Sequence, residues 1–380
     1  MLLYTLGQNQ NNSAVYRSNL GNIDLTWEGS QSSSFALEGR LLGRMNFTFE
    51  YFDKRSKDLL FKLNVPLSTG STFTNGSAYI NKNIGELVNR GFEFAVDVDV
   101  LKNKDFRWNL GLNGTIIKNK IINLPEQNRE KGIISSPFKY LEGHSVYDYY
   151  LRQFVGVDMM TGQSLYQADI DTYDPNDASG AWFKFQQEIN GVTYTRNASY
   201  AKEEFSGSGI PKLMGGINTS FDYKNWSLSA LFTYSIGGKA IDYSYNSLMS
   251  FSSSSAVHVD IRNSWNGVPN GMTESSIDRI NPNAIPQINF TNSQYNNALS
   301  SRFLMNSSYF TVKNITLGYR LPKLLLERYG LDQVGLIVSG ENLHTFSKLK
   351  GYSPQQSFGG FSQNQFVPAR TISFGINVGF

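Results

Sequence analysis

Phe92-Glu93-Phe94-Ala95-Val96-Asp97-Val98-Asp99-Val100 carries an apolar side chain at every even position and Glu, Ala, Asp and Asp between them. Successive side chains of a strand point to opposite faces, so the segment reads as a strand with one greasy and one polar face. Helical spacing cannot generate that pattern. Lys102-Asn103-Lys104-Asp105 follows as a tight polar turn. Phe106, Trp108, Leu110, Leu112 and Ile116 then alternate with Arg107, Asn109, Asn113 and Thr115, completing an antiparallel hairpin.

The construction recurs along the chain. Leu213, Ile217, Phe221 and Tyr223 lead into Lys224-Asn225, after which Trp226, Leu228, Ala230, Phe232, Tyr234 and Ile236 alternate mostly with Ser and Thr. Phe35 and Leu37 run into Gly43-Arg44, and Met45, Phe47, Phe49 and Tyr51 alternate with Asn46, Thr48 and Glu50. Residues 311–320, 333–345 and 371–380 read as later strands, and 146–157 and 163–168 as weaker ones, for about eleven strands in all. Polar stretches rich in Ser, Asn, Gly and Gln (64–82, 123–143, 169–210, 247–301 and 346–368) separate the hairpins. Followed backwards from the last strand, every short turn falls on one side and every long stretch on the other, the layout of an outer-membrane barrel. The connection at 321–331, with Pro322 and Leu324-Leu325-Leu326, is the one longer turn on the short side and reads as a single helical turn.

Composition agrees. The 380 residues include 34 Gly, 21 Tyr and 26 Phe, are 14% aromatic and 17% charged, and have a mean hydropathy of -0.33. A disordered chain would lack the Phe and Tyr, and a helical membrane protein would be far more apolar. No apolar run approaches the roughly 18 residues of a transmembrane helix, but a transmembrane strand needs only about 9–11 residues with one apolar face. A net charge of +3 with mixed signs gives no reason to expect a nucleic-acid partner. The absence of cysteine removes disulfides and Cys-based metal or redox sites. Alternation also suits a soluble β-sandwich with one wet face, although a run as long as 86–101 fits a tilted membrane crossing better.

The chain ends Thr371-Ile372-Ser373-Phe374-Gly375-Ile376-Asn377-Val378-Gly379-Phe380, with Ile372, Phe374, Ile376, Val378 and Phe380 on one face. A lipid-facing terminal strand closing on an aromatic resembles the signal read by the barrel-insertion machinery. Tyr309-Phe310-Thr311-Val312-Lys313-Asn314-Ile315-Thr316-Leu317-Gly318-Tyr319-Arg320-Leu321-Pro322 is similar to the "LKNITLGYTLP" segment of the SusC/RagA family of TonB-dependent outer-membrane transporters. Val338-Ser339-Gly340-Glu341-Asn342-Leu343-His344-Thr345-Phe346 with Lys350-Gly351-Tyr352-Ser353-Pro354, Asn89-Arg90-Gly91-Phe92-Glu93, and Pro368-Ala369-Arg370-Thr371-Ile372-Ser373-Phe374-Gly375 resemble three more of its segments, in family order.

The resemblance implies an all-β, antiparallel transmembrane β-barrel of about twenty-two strands closed by an N-terminal plug. Residues 1–380 would be the C-terminal half of that barrel, with the plug, the TonB-contacting segment and a signal peptide expected outside the chain. It further implies nutrient uptake of oligosaccharide (glycan) or peptide, with a SusD-like surface lipoprotein as lid, TonB acting through the plug, outer-membrane lipid around the wall, and no cofactor or enzyme chemistry. Alternatives are a passive porin or surface adhesin, a truncated non-transporting fragment, or a soluble carbohydrate-binding module.

Phe251, Trp265, Tyr295 and Phe361 lie in the long stretches and are candidates for stacking on substrate, against the simpler reading of loop packing. Trp108 and Trp226 beside short turns fit a periplasmic aromatic girdle. Asp169, Asp171, Asp174 and Asp177 make a weak calcium-loop candidate, since their spacing lacks the closing Glu of the twelve-residue motif and suits a solvated acidic loop better. His144, His258 and His344 are too dispersed for a metal or catalytic cluster.

Overall fold

The computed structural model describes residues 3–9, 12–19, 21–65, 78–172, 180–250, 256–289, 293–349, 354–356 and 368–380. Nine strands form one antiparallel sheet in chain order: β1 (Gly29–Leu41), β2 (Met45–Val65), β3 (Ala78–Lys102), β4 (Phe106–Asn123), β5 (Leu213–Tyr223), β6 (Trp226–Ile236), β7 (Tyr309–Arg320), β8 (Gln333–Ser347) and β9 (Thr371–Gly379). The connections alternate as the sequence predicts. Leu42-Gly43-Arg44, residues 103–105, Lys224-Asn225 and the segment containing α1 (Lys323–Leu326) join strands at one end, and the long connections join them at the other. Leu42 and Lys224 take φ of 53° and 52°, the left-handed conformation that lets a tight hairpin follow the twist of its strands.

Two expectations need correction. The strands read at 146–157 and 163–168 exist as Asp148–Arg152, Phe154–Asp158 and Ser164–Gln167, but they lie outside the nine-stranded sheet. β4 pairs directly with β5 from Phe106↔Tyr223 to Thr115↔Met214, which leaves no place between them for further wall strands. The long stretches are also more than polar loops. Gln186–Ile189, Val192–Thr195, Ser164–Gln167, Phe154–Asp158 and Ile280–Asn281 form a five-stranded sheet, and Glu203–Ser208, Asp148–Arg152, Phe138–Tyr140 and Ile133–Ser135 a four-stranded one. Their core holds Phe138, Tyr149, Leu151, Ile241 and Phe303, with a second cluster of Tyr166, Ala198 and Ala201. The hairpin Leu3–Asn9 with Asn12–Asn19 pairs only with itself.

Register turns the alternation of single strands into two continuous faces. Phe47, Val96, Leu112, Ile217 and Phe232 stand side by side across β2 to β6. Nearer the short turns, Trp226, Tyr319, Leu336 and Ile376 continue the same face across β6 to β9. The apolar face is uncovered: Phe35 is 74% and Phe374 80% exposed, and Leu37, Leu112, Leu228, Leu317 and Val338 are exposed between them. An apolar patch spanning a whole sheet marks contact with a membrane rather than water. Trp108 and Trp226 lie on this face near the short-turn end, Trp108 stacked on Phe221 at 5.5 Å and Trp226 4.5 Å from Tyr319, as a girdle at the interface requires. From Leu101 to Phe92 the band is about as long as one tilted crossing. Beyond Tyr51, Phe92 and Ile116 the same face carries Asp53, Arg90 and Lys118 instead.

Close approach of neighbouring strands matters at Gly215, where an added Cβ would lie 2.1 Å from the backbone oxygen of Asn113. Gly215→Ala must push β5 away from β4 and is expected to lower the stability of the folded barrel by about 1–3 kcal/mol. The measurement is the denaturant midpoint of the barrel in detergent, and an unchanged midpoint overturns the assignment.

Candidate functional site

The face opposite the apolar band carries the polar chemistry. Asn46, Asp97, Gly111 and Asn218 share one row, and Thr48, Ala95, Asn113, Gly216, Thr233, Thr311 and Thr345 another. Asn109 Nδ2 donates to Asp97 Oδ1 at 3.0 Å, and Arg107 donates from Nε and Nη2 to Asp99 Oδ1 at 3.0 and 2.9 Å. Asn314 Nδ2 donates to Ser339 Oγ at 3.0 Å, and the Thr311 and Thr345 hydroxyls meet at 2.9 Å. Two depressions of about 270 Å³ each open on this face. One is lined by Asn46, Thr48, Asp97, Asn113 and Asn218, the other by Thr48, Glu50, Glu93, Asn113 and Thr115. Both are shallow, and they offer hydroxyl, amide and carboxylate groups that can hydrogen-bond a passing polar solute or a protein surface filling the interior.

At the long-connection end two neighbouring strands of the five-stranded sheet, Phe154–Asp158 and Ile280–Asn281, are tied together by a buried ion pair. Asp158 is fully buried, and its carboxylate accepts from Arg279 Nε at 2.9 Å and Nη2 at 3.2 Å, Met160 N at 3.0 Å, Thr161 Oγ1 at 3.0 Å and Gln187 Nε2 at 3.0 Å. Burial alone would push this carboxyl up, but the Arg279 guanidinium and the other donors outweigh it and hold its pKa below the usual carboxylate value. The pair joins the β4–β5 connection to the β6–β7 connection across 121 positions of sequence. No sequence signal marks it, because neither residue belongs to a local motif. At the other end of the strand Phe154–Asp158, Arg302 lies 5.5 Å over the Phe154 ring and donates to Asn296 O and Asn297 Oδ1.

The candidates from sequence are dispersed. Trp265 donates from Nε1 to Met159 O at 2.8 Å, with its ring seated where a Cβ on Gly162 would be. Tyr295 lies 5.7 Å from the Phe185 ring, and its backbone oxygen accepts from the Tyr166 hydroxyl at 2.6 Å. Both are engaged in packing the long connections, and the structure does not bring them together as one surface. Phe251 and Phe361 lie outside the described residues. Asp169 Oδ1 accepts from Asp171 N at 3.1 Å, while Asp174 and Asp177 lie outside the described residues. Among the described residues no group of three or more His, Cys, Asp or Glu is placed to hold a metal ion. His144 stacks on Phe205 at 3.8 Å, His258 accepts from Asp260 N at 3.1 Å, and His344 packs 4.4 Å from Phe346. Ile372, Phe374, Ile376 and Val378 sit together on the apolar face of β9, where they are exposed, and Phe380 follows the strand, 89% exposed.

Comparison with known proteins places this geometry. The family profile described as TonB dependent receptor-like, beta-barrel, matches residues 3–343. A protein named TonB-dependent receptor P3, from Formosa agariphila, is 27% identical over 398 residues, covering 100% of this chain and 37% of its own length. TonB-dependent receptor SusC from Bacteroides thetaiotaomicron is 23% identical over 372 residues, covering 94% of this chain and 32% of its own length. The solved RagAB peptide transporter superposes with a TM-score of 0.73 at 22% identity, covering 100% of this chain and 38% of that one. The chain therefore spans about a third of the length of the curated relatives it matches.

Proposed function

Because this chain belongs to the TonB dependent receptor-like β-barrel family, whose members are outer-membrane receptors and transporters rather than enzymes, we propose that it supplies wall and extracellular connections to an energy-coupled importer of oligosaccharide or peptide. The carrying observation is the pair of faces: an apolar band uncovered across β1 to β9 and, on the other side of the same strands, a hydrogen-bonding surface of Asn, Thr, Ser and carboxylates. Hydrocarbon meets the first, and solute or plug meets the second.

On this reading the chain is the C-terminal part of one barrel. β1 and β9 each pair on one side only, and unpaired backbone groups cannot face lipid, so further strands continue from both edges to close the wall. A plug fills the interior and transmits TonB's pull. The packed connections carrying Trp265 and Tyr295 face a SusD-like lipoprotein and the substrate held beneath it. The relatives support this reading by name: SusC is a TonB-dependent receptor, and the RagAB assembly is a peptide transporter.

The test is uptake of fluorescent oligosaccharides and peptides by cells carrying the protein, with and without TonB. Import is expected to vanish without TonB. Entry that is equal in both strains would instead assign a passive porin.

A further inference from the structure

We propose that the outward face just beyond the apolar band binds the phosphate-bearing headgroup of an outer-leaflet lipid, through Arg90, Lys118 and Lys120. Register fixes the orientation. Arg90 pairs with Lys118 one step beyond Phe92↔Ile116, and Val88 with Lys120 one step further, with no bulge between these positions. The cations therefore point to the same side as the lipid-contacting rings, at the level where hydrocarbon gives way to headgroups and at the long-connection end that faces the outer leaflet.

The charge there is unbalanced. Arg55, Lys57, Arg90, Lys118 and Lys120 occupy this face against Asp53 and Glu86. Arg90 and Arg55 share Asp53, at 2.6 and 3.2 Å, and Arg55 reaches Glu86 at 4.0 Å. Among the described residues Lys118 and Lys120 have no carboxylate within ion-pair distance. On the opposite face at the same height stand Lys54, Asn89 and Asn119, and Asn119 Nδ2 is already bonded to Asn89 Oδ1 at 2.8 Å. The excess positive charge thus faces the membrane and not the interior, which favours a lipid phosphate over a solute in transit.

A place for the lipid exists beside the cations. β4 continues to Asn123, but its pairing with β5 stops at Thr115↔Met214. The gap above is a cleft of about 600 Å³ along the free edge of β4, lined by Ile116, Lys118 and Lys120 of the outward face and by Ile210, Pro211 and Lys212, with Ile117 and Asn119 of the opposite face and the Asp148 carboxylate also on its lining. On β4 Ile116 stands toward the band and the Lys118 and Lys120 ammonium groups beyond it, an order that matches the two halves of a lipid, and each ammonium offers a charge-assisted hydrogen bond to a phosphate oxygen.

The experiment uses the protein extracted whole from its native outer membrane in mild detergent. Native mass spectrometry with wild-type protein compares bisphosphorylated lipid A, its dephosphorylated form and inorganic phosphate. The bisphosphorylated lipid is expected to bind at least about tenfold more tightly than the dephosphorylated one, the effect of one charged hydrogen bond. The triple variant Arg90→Gln, Lys118→Gln, Lys120→Gln should lose that preference, whereas Lys54→Gln should keep it. Equal binding of the two lipids by wild type, an unchanged preference in the triple variant, or displacement of the lipid by millimolar phosphate overturns the proposal. The wild-type comparison needs no variant and so stands even if the triple variant does not fold. None of these outcomes depends on whether the barrel imports anything.

Discussion

Arginine at Val96 is expected to destabilise the barrel by about 2–4 kcal/mol, while arginine at the adjacent Ala95 leaves it nearly unchanged. Val96 lies mid-band, paired with Phe47 on one side and Leu112 on the other, with Ile217 and Phe232 further along the row. A guanidinium there has no acceptor in hydrocarbon and too far to reach to water. Ala95 points the other way, between Thr48 and Asn113 in register. The depression lined by Ala95 also contains Glu50 and Glu93, so an added cation meets carboxylates and solvent. One position of sequence separates the two substitutions, so propensity and expression effects nearly cancel in the comparison. Denaturant titration of each variant in lipid vesicles gives the answer, with heat-modifiable gel migration as the check that a barrel has formed. Similar midpoints for the two variants would contradict the assignment of faces.

That comparison draws on the part of the fold that was legible without coordinates. In the wall strands, period two persists for nine or more residues and one face is apolar throughout, so Phe92 to Val100 or Trp226 to Ile236 identify themselves. Legibility fails where the phase slips. β2 continues to Val65, although residues from 64 onward read as loop and the clear alternation stops near Tyr51. Asp58 takes φ 56° and the register to β3 shifts between Ser56 and Leu59, so Leu59, Leu60, Phe61 and Leu63 no longer keep one parity. It fails again in the long connections, whose strands run only 2 to 6 residues in Ile280–Asn281, Ser164–Gln167 and Glu203–Ser208. Tyr149, Val157, Leu165 and Tyr166 are buried to 1% exposure or less, yet they are scattered among Ser, Asn and Gly. A core assembled from such pieces depends on contacts over a hundred residues apart. The same holds for the site: the polar positions of β3 and β4 could be read from alternation, but the pairing of Asp158 with Arg279 could not.

Removing Arg279 tests what that pairing does. In Arg279→Ala the Asp158 carboxylate stays buried with Met160 N, Thr161 and Gln187 as its remaining donors, and breaking a buried pair from one side costs about 3–5 kcal/mol. The loss should be local. Hydrogen exchange is expected to accelerate in Phe154–Asp158, Ser164–Gln167 and Ile280–Asn281, while β5 to β9 stay protected by their own ladders. Acid should act in the same direction. Because the folded carboxyl titrates below its unfolded value of about 3.9, the pair's contribution is complete above that pH and fades as pH falls through the lower folded value. Without Arg279 only Met160 N, Thr161 and Gln187 oppose the effect of burial, so the folded pKa rises and the acid-induced opening moves to higher pH. Replacing both partners by apolar residues of similar size, Asp158→Leu with Arg279→Met, should recover much of the protection, since no charge is then left uncompensated. Exchange rates and acid midpoints in Arg279→Ala that match wild type would mean the two connections are held together by the surrounding strands alone. A double variant no better protected than the single one would mean that the geometry of the charged pair, not merely its neutrality, keeps the β4–β5 and β6–β7 connections in one rigid rim.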